Sequence, residues 1–118
     1  MALEGDGLGN AIYQNDITAI RRHLNAKGDP DADYYGTPAL AWAAANGRVE
    51  IAALLVDAGA SLELPSSSNG RTALLQAAAT GHLKVVQYLL GAGANPVAED
   101  NWGRNGQQWA EENGCVEV

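Results

Sequence analysis

Apolar positions along the chain fall into two kinds of stretch that alternate. Leu83, Val86, Leu89 and Leu90 recur at the spacing that lines one face of a helix, and that helix is expected to stop at Gly93. Before it comes a shorter, alanine-rich stretch ending at Gly81, with a counterpart ending at Gly47. The segment "GTPALAWAAANGRVEIAALLVDAGASL" (Gly36 to Leu62) overlays "GRTALLQAAATGHLKVVQYLLGAGANP" (Gly70 to Pro96) without a gap at a shift of 34. Leu40 falls on Leu74, Ala43 and Ala44 on Ala77 and Ala78, Leu55 on Leu89, and Gly59-Ala60 on Gly93-Ala94. A further shift of 33 brings Gly103, Ala110 and Gly114 onto Gly70, Ala77 and Gly81, and a backward shift of 32 finds Ala11, Asn15, Ile17, Ile20 and Leu24 at matching places. The chain therefore reads as one domain, 1–118, of approximate units 1–32, 33–66, 67–99 and a partial 100–118.

Each unit predicts a pair of helices. Thr37 and Pro38 read as an N-cap followed by proline at the first helical position, and Thr72 as the cap of the next unit. Turn-rich segments such as "GASLELPSSSNG" join one pair to the next. A pair of helices with alanine on one face cannot bury itself alone, so neighbouring units must stack.

Composition narrows the function classes. Apolar residues make up 47% of the 118, much of that share alanine, which suits closely packed helices. Seven Lys and Arg stand against fourteen Asp and Glu, a net charge of −7, and no segment concentrates the basic residues, so a nucleic-acid surface is not expected. Cys115, the single cysteine, excludes an internal disulfide framework and fits a reducing compartment. No apolar run approaches the roughly 18 residues of a membrane span, and the amino terminus lacks the layout of a signal peptide. The expectation is a cytoplasmic protein, with the nucleus also open to it, that engages no membrane.

The repeated units resemble ankyrin repeats, whose pattern is roughly D-x-x-G-x-T-P-L-H-x-A-A-x-x-G-H-x-x-V-V-x-L-L-L-x-x-G-A-D. "GRTALLQAAATGHLKVVQYLLGAGAN" keeps almost all of it, and the resemblance extends from about Leu8 to Val118. It implies an all-α solenoid of stacked antiparallel helix pairs with β-hairpin-like connecting loops. It also implies a non-catalytic module that binds a partner protein through a concave groove of hairpin tips and first helices. On that pattern the tips are Tyr34 and Tyr35, Ser68 and Asn69, and Asn101 and Trp102. The next variable position gives Thr37, Arg71 and Arg104, and the first-helix ends give Tyr13 and Gln14, Ala45 and Asn46, Ala79 and Thr80, and Glu112 and Asn113. Ala41, Leu75 and Gln108 replace the family's TPLH histidine. Thr37-Pro38 lies one place early, Gly28 one place later than Gly59 and Gly93, and "ELPSSSNG" holds one extra residue.

Partner contact is expected of Tyr34, Tyr35, Trp102, Arg71, Arg104, Tyr13, Asn46 and Asn69. Tyrosine and tryptophan bury large area at low entropy cost and serve as interface anchors; one tyrosine of the pair could instead brace the hairpin on the adjacent repeat. Arg71 and Arg104 form either a basic ladder selecting carboxylates or local pairs with Asp100 or Glu99. Trp42, Trp109 and Tyr88 read as core. Arg21, Arg22 and His23 read as a solvated outer face, although His23 occupies a position that is leucine in later units. His82 reads as helix-start structure. "GDGLGN" has no strand before it and reads as a frayed terminus rather than a phosphate loop. Two histidines 59 residues apart, with one cysteine beside neither, give no metal site or nucleophilic dyad, and no cofactor is expected. "CVEV" stops where a second helix is expected to begin, and the rival to the recognition reading is a structural or self-associating segment of a longer solenoid, with this incomplete end expected to meet another chain.

Overall fold

A computed structural model describes residues 6–106 and Gln108. Six helices and one two-stranded sheet are present among the described residues: α1 (Asp6–Tyr13), α2 (Ile17–Asn25), β1 (Asp33–Tyr34), β2 (Thr37–Pro38), α3 (Ala39–Ala45), α4 (Val49–Asp57), α5 (Ala73–Thr80) and α6 (Leu83–Gly91). The helices α3 and α4 begin 34 residues before α5 and α6, so the period in the sequence is the period of the fold.

First helices stack in one row, α1 on α3 and α3 on α5, while second helices stack in another, α2 on α4 and α4 on α6. The chain measures 41 × 24 × 22 Å. Alanines at the contact of the first row explain how short helices approach so closely. Ala43, Ala44, Ala77 and Ala78 are fully buried, and side chains this small let the axes sit near the lower end of the usual range of about 8–10 Å. Ile20, Ile51, Leu55, Val85, Val86 and Leu89 come from the second row to cover them. Each such side chain contributes on the order of 2 kcal/mol when removed from water. Most of that gain requires a neighbour, which is why the units hold together only as a stack.

Backbone and side-chain bonds stitch consecutive units at their loops. Ser61 N donates to Asp31 Oδ1 (2.7 Å), and one unit later Asn95 N donates to Glu63 Oε2 (2.9 Å). On the opposite side of the stack the His82 imidazole reaches the preceding unit. Its Nε2 donates to Ala45 O at 3.0 Å, which fixes the tautomer, and Gly47 leaves the space that the ring fills. His82 is also the residue preceding α6, the helix-start position that the sequence indicates.

Four expectations change. Thr37 is not a helix cap and Pro38 is not the first helical residue: they pair as β2 with β1, in the register Asp33 to Pro38 and Tyr34 to Thr37, and Pro38 is the extended residue immediately before α3. Tyr35 and Gly36, with φ of 54° and 77°, form the two-residue turn between them, and positive φ at both positions is what a type I′ hairpin turn needs. Thr37 is thereby committed to the hairpin, and α3 starts at Ala39 in step with Ala73 rather than one residue early. Thr72, by contrast, caps α5 through Oγ1, which accepts from Leu75 N at 3.4 Å.

The segment "GDGLGN" is helical from Asp6, not frayed. Leu8 and Ile12 are buried against the next unit, and that packing overrides two glycines of low helix propensity. His23 is 1% exposed rather than solvated. It fills the leucine position with an imidazole whose Nε2 donates to Asp29 O at 3.1 Å, so its polar edge is satisfied inside the stack. Gly28 lies directly over this ring, where any side chain would overlap it. The left-handed position that Gly59 and Gly93 hold in the later units then falls to Lys27, at φ 60°. Trp42 and Tyr88 pack on the core without being engulfed by it, both half-buried. Trp109, Glu112, Asn113 and the carboxyl end lie outside the described residues.

Candidate functional site

The hairpin and the first-helix row share one face, and the side chains there are aromatic to an extent the rest of the molecule is not. Tyr35 stands at the turn, 82% exposed. Its ring centroid lies 4.4 Å from that of Tyr34, which in turn lies 5.6 Å from Trp42 on α3, tilted by 49°. Trp42 Nε1–H donates to Tyr34 O at 3.0 Å, so the indole fastens the hairpin to its own unit. Tyr34 leans the other way onto α1, and Gly9 is what admits it: a methyl there would lie 2.7 Å from Tyr34 Cδ1. The tyrosine pair is therefore divided in role. Tyr34 is half-buried and braces the hairpin on the adjacent repeat, while Tyr35 projects from the tip.

Between α1 and α3 these side chains enclose a cleft of about 290 Å³ lined by Gly9, Asn10, Tyr13, Tyr34, Trp42 and Asn46. Three residues expected from the pattern, Tyr13, Tyr34 and Asn46, thus meet in one place. Tyr13, the last residue of α1, is 68% exposed. Asn46 follows α3, and its Nδ2 donates to Trp42 O at 2.9 Å. Trp42, Gly9 and Asn10 had no site signal of their own. Trp42 looked like core because it precedes an Ala-Ala pair, and Gly9 belonged to a stretch whose helicity depends on its neighbour.

The remaining expected residues cluster one and two hairpins further along. Asn69 N-terminally flanks Gly70, and its Oδ1 accepts from Arg71 N at 3.0 Å while its carbonyl accepts from Asn101 N at 2.9 Å. Trp102 is 65% exposed at the next tip. Below it the Asp100 carboxylate, fully buried, accepts from Trp102 N at 2.8 Å and Arg104 N at 3.1 Å, and the Arg71 guanidinium lies 3.9 Å from its other oxygen. Arg71 is thus turned into the hairpin rather than outward as one rung of a basic ladder. Arg104 is half-buried, and the residue after it opens a reciprocal cap: Asn105 N donates to Gln108 Oε1 and Gln108 N to Asn105 Oδ1, at 2.9 and 3.0 Å. Gln108, which replaces the family's histidine, supplies a polar link of a different kind.

Hairpin edge, two helix rows and the 34-residue period agree with a match of residues 8–100 to ankyrin repeats in three copies. The chain belongs to the ankyrin-repeat family. Ankyrin repeats are generally protein–protein interaction modules and are typically non-catalytic. No curated protein matches the chain. Among the described residues, no group of three or more His, Cys, Asp or Glu is placed to hold a metal ion, and no helix is long and apolar enough to cross a membrane. Burial first, and the Asp57 carboxylate second, hold the Tyr88 phenol above its ordinary value of 10.0.

Proposed function

We propose that this ankyrin array is a non-catalytic recognition module of the cytoplasm or nucleus that docks a partner protein on the face built from its hairpins and first helices. The observation that carries the reading is the aromatic group of Tyr13, Tyr34 and Trp42 around one cleft, with Tyr35 projecting beside Tyr34 at the hairpin tip. Monomer surfaces seldom gather so much aromatic area without a binding role, and exposed tyrosine and tryptophan are the usual anchors of interfaces. The position of Tyr35 supports the same conclusion. An aromatic residue at positive φ in a two-residue turn is strained by about 1 kcal/mol or more relative to the Asn or Gly favoured there, and strain of this kind gathers at functional positions. Trp102 and Asn69 extend the surface along the same edge, whereas Arg71 and Arg104 contribute by holding the second and third hairpins in shape.

The test compares captured proteins from a lysate using the wild-type chain, a Tyr13→Ala, Tyr35→Ala, Trp102→Ala variant and a control altered on the second-helix row, Lys84→Ala, Gln87→Ala. All five side chains are exposed, so folding is preserved in each. Specific partners should be lost from the first variant alone. Equal recovery with all three proteins, or loss only with the control, overturns the assignment of the face.

A further inference from the structure

Arg48 and His82 hold the same place in successive units, each directly after the glycine that follows a first helix. Both reach back to the preceding unit. His82 Nε2 donates to Ala45 O at 3.0 Å, while Arg48 donates from Nε to Ile12 O at 3.3 Å and from Nη2 to Tyr13 O at 2.6 Å. Tyr13 corresponds to Ala45 at the backward shift of 32, so the stitch between units is the same one. The imidazole completes it with a single N–H. A guanidinium, by contrast, presents N–H donors along more than one edge of a rigid plane. Nε and Nη2 form the edge turned to the α1 carbonyls, and the edge made by Nη1 and Nη2 takes no part in the stitch. Among the described residues no carboxylate pairs with Arg48. The acidic residues nearest to it and to Tyr13 in the chain are placed otherwise: Asp16 Oδ1 accepts from Ala19 N at 3.1 Å, and Glu50 is exposed in the first turn of α4.

This guanidinium stands at one end of the aromatic cleft. Tyr34 belongs to the hairpin end of the cleft, whereas Tyr13 and Asn46 lie at the carboxyl ends of α1 and α3, where Arg48 meets Tyr13 O. Half-buried and held by two hydrogen bonds, Arg48 has little side-chain freedom left to lose on binding. We infer that an aspartate or glutamate of the partner pairs with the Nη1 and Nη2 edge of Arg48, while an apolar side chain next to it in the partner's sequence lies in the cleft against Tyr13, Tyr34 and Trp42. The inference rests on the proposed recognition face and adds the chemistry that the face selects. A carboxylate matches the parallel donors of a guanidinium edge, and the rings beside it offer apolar surface to the neighbouring residue. A lysine or arginine at this point would meet a like charge. The net charge of −7 repels a long acidic run, so the form selected is one carboxylate beside an apolar residue.

The isotope-labelled full chain is titrated with three blocked dipeptides, Leu-Glu, Leu-Gln and Leu-Lys, while NMR follows the Arg48 Nε–H, the Trp42 indole N–H and the Asn46 amide. Saturable shifts at all three positions are expected with Leu-Glu. Leu-Gln, which has the same shape without the charge, should bind about three-fold more weakly, the scale of an exposed ion pair, and Leu-Lys more weakly still. Arg48→Gln keeps an apolar stem and an amide donor for the α1 carbonyls, and should bring Leu-Glu down to the affinity of Leu-Gln. The two peptides compared on the wild type decide the matter even where that variant loses stability. Equal binding of Leu-Glu and Leu-Gln, tighter binding of Leu-Lys, absence of saturable shifts, or a glutamate preference that survives in Arg48→Gln overturns the inference. If Leu-Glu shows no advantage while lysate capture still depends on Tyr13, Tyr35 and Trp102, the recognition face stands and only its preference for a carboxylate falls.

Discussion

Gly9→Ala sets helix propensity against packing. Gly9 lies inside α1, where alanine is favoured over glycine by about 1 kcal/mol. Opposing this, the new methyl would stand 2.7, 2.9 and 3.2 Å from Cδ1, Cε1 and Cγ of Tyr34. Carbon atoms rest comfortably at about 3.5 Å or more, so the ring has to withdraw by roughly 0.8 Å. It is boxed in by Tyr35 at 4.4 Å and Trp42 at 5.6 Å, and its backbone carbonyl holds the indole N–H. Overpacking of this kind costs about 1–3 kcal/mol. With a cost near 2 the substitution is net destabilising by about 1 kcal/mol, or about 4 °C in Tm. In a Tyr34→Ala background the obstruction is gone, and the same substitution should stabilise by about 1 kcal/mol. Urea unfolding followed by circular dichroism on the four proteins gives the coupling directly, with m-values checked because stacked repeats can unfold separately. The expected coupling is about 2 kcal/mol; additivity within about 0.5 kcal/mol would show that Tyr34 is not lodged against α1 and would refute the account of how the hairpin is braced.

Lys27→Gly should stabilise the protein by about 0.5–1 kcal/mol and so raise the urea midpoint, since it removes a left-handed lysine where the later units have Gly59 and Gly93. Asp100→Ala should cost about 2 kcal/mol or more in the same assay, because Trp102 N, Arg104 N and the Arg71 guanidinium all lose an acceptor in a buried site. For Tyr88, a folded-state pKa above the unfolded one means that its contribution is intact below the ordinary value of 10.0 and is lost as pH rises through the folded value. Alkaline unfolding of Tyr88→Phe should therefore decline less steeply above pH 10 than that of the wild type.

Helix pairs and their stacking could be read from the sequence because they rest on residue type at a fixed period. Ala77 and Ala78 can be buried only where helices nearly touch, and Leu55 and Leu89 recur because the same space recurs. The α5 cap was legible for a similar reason, Thr72 standing directly before an apolar helix. What escaped the sequence depends on contacts between units. Thr37 and Pro38 have the composition of a helix start, and only the left-handed pair Tyr35 and Gly36 commits them to a hairpin. "GDGLGN" has the propensities of a loop until α3 packs on it. Histidine at position 23 reads as polar until Asp29 O meets its ring nitrogen. The candidate site divides along the same line: Tyr13, Tyr34, Tyr35 and Asn46 are placed by the repeat pattern, while Trp42 and Gly9 acquire their roles from the tyrosine between them, and Arg71 from Asp100.

The extra linker residue has come to rest inside a hairpin tip. Four residues separate Ser66 and Arg71, whose backbone groups pair, where three separate Asp100 and Arg104. Both hairpins still join their predecessor through a single backbone bond, Ser67 N to Gly36 O and Asn101 N to Asn69 O, each at 2.9 Å, and α5 keeps its place on α3. An insertion has thus been absorbed at the rim without reaching the helices. The exposed edge of such an array can therefore vary in length at this tip while the spacing of the helices beneath it is kept.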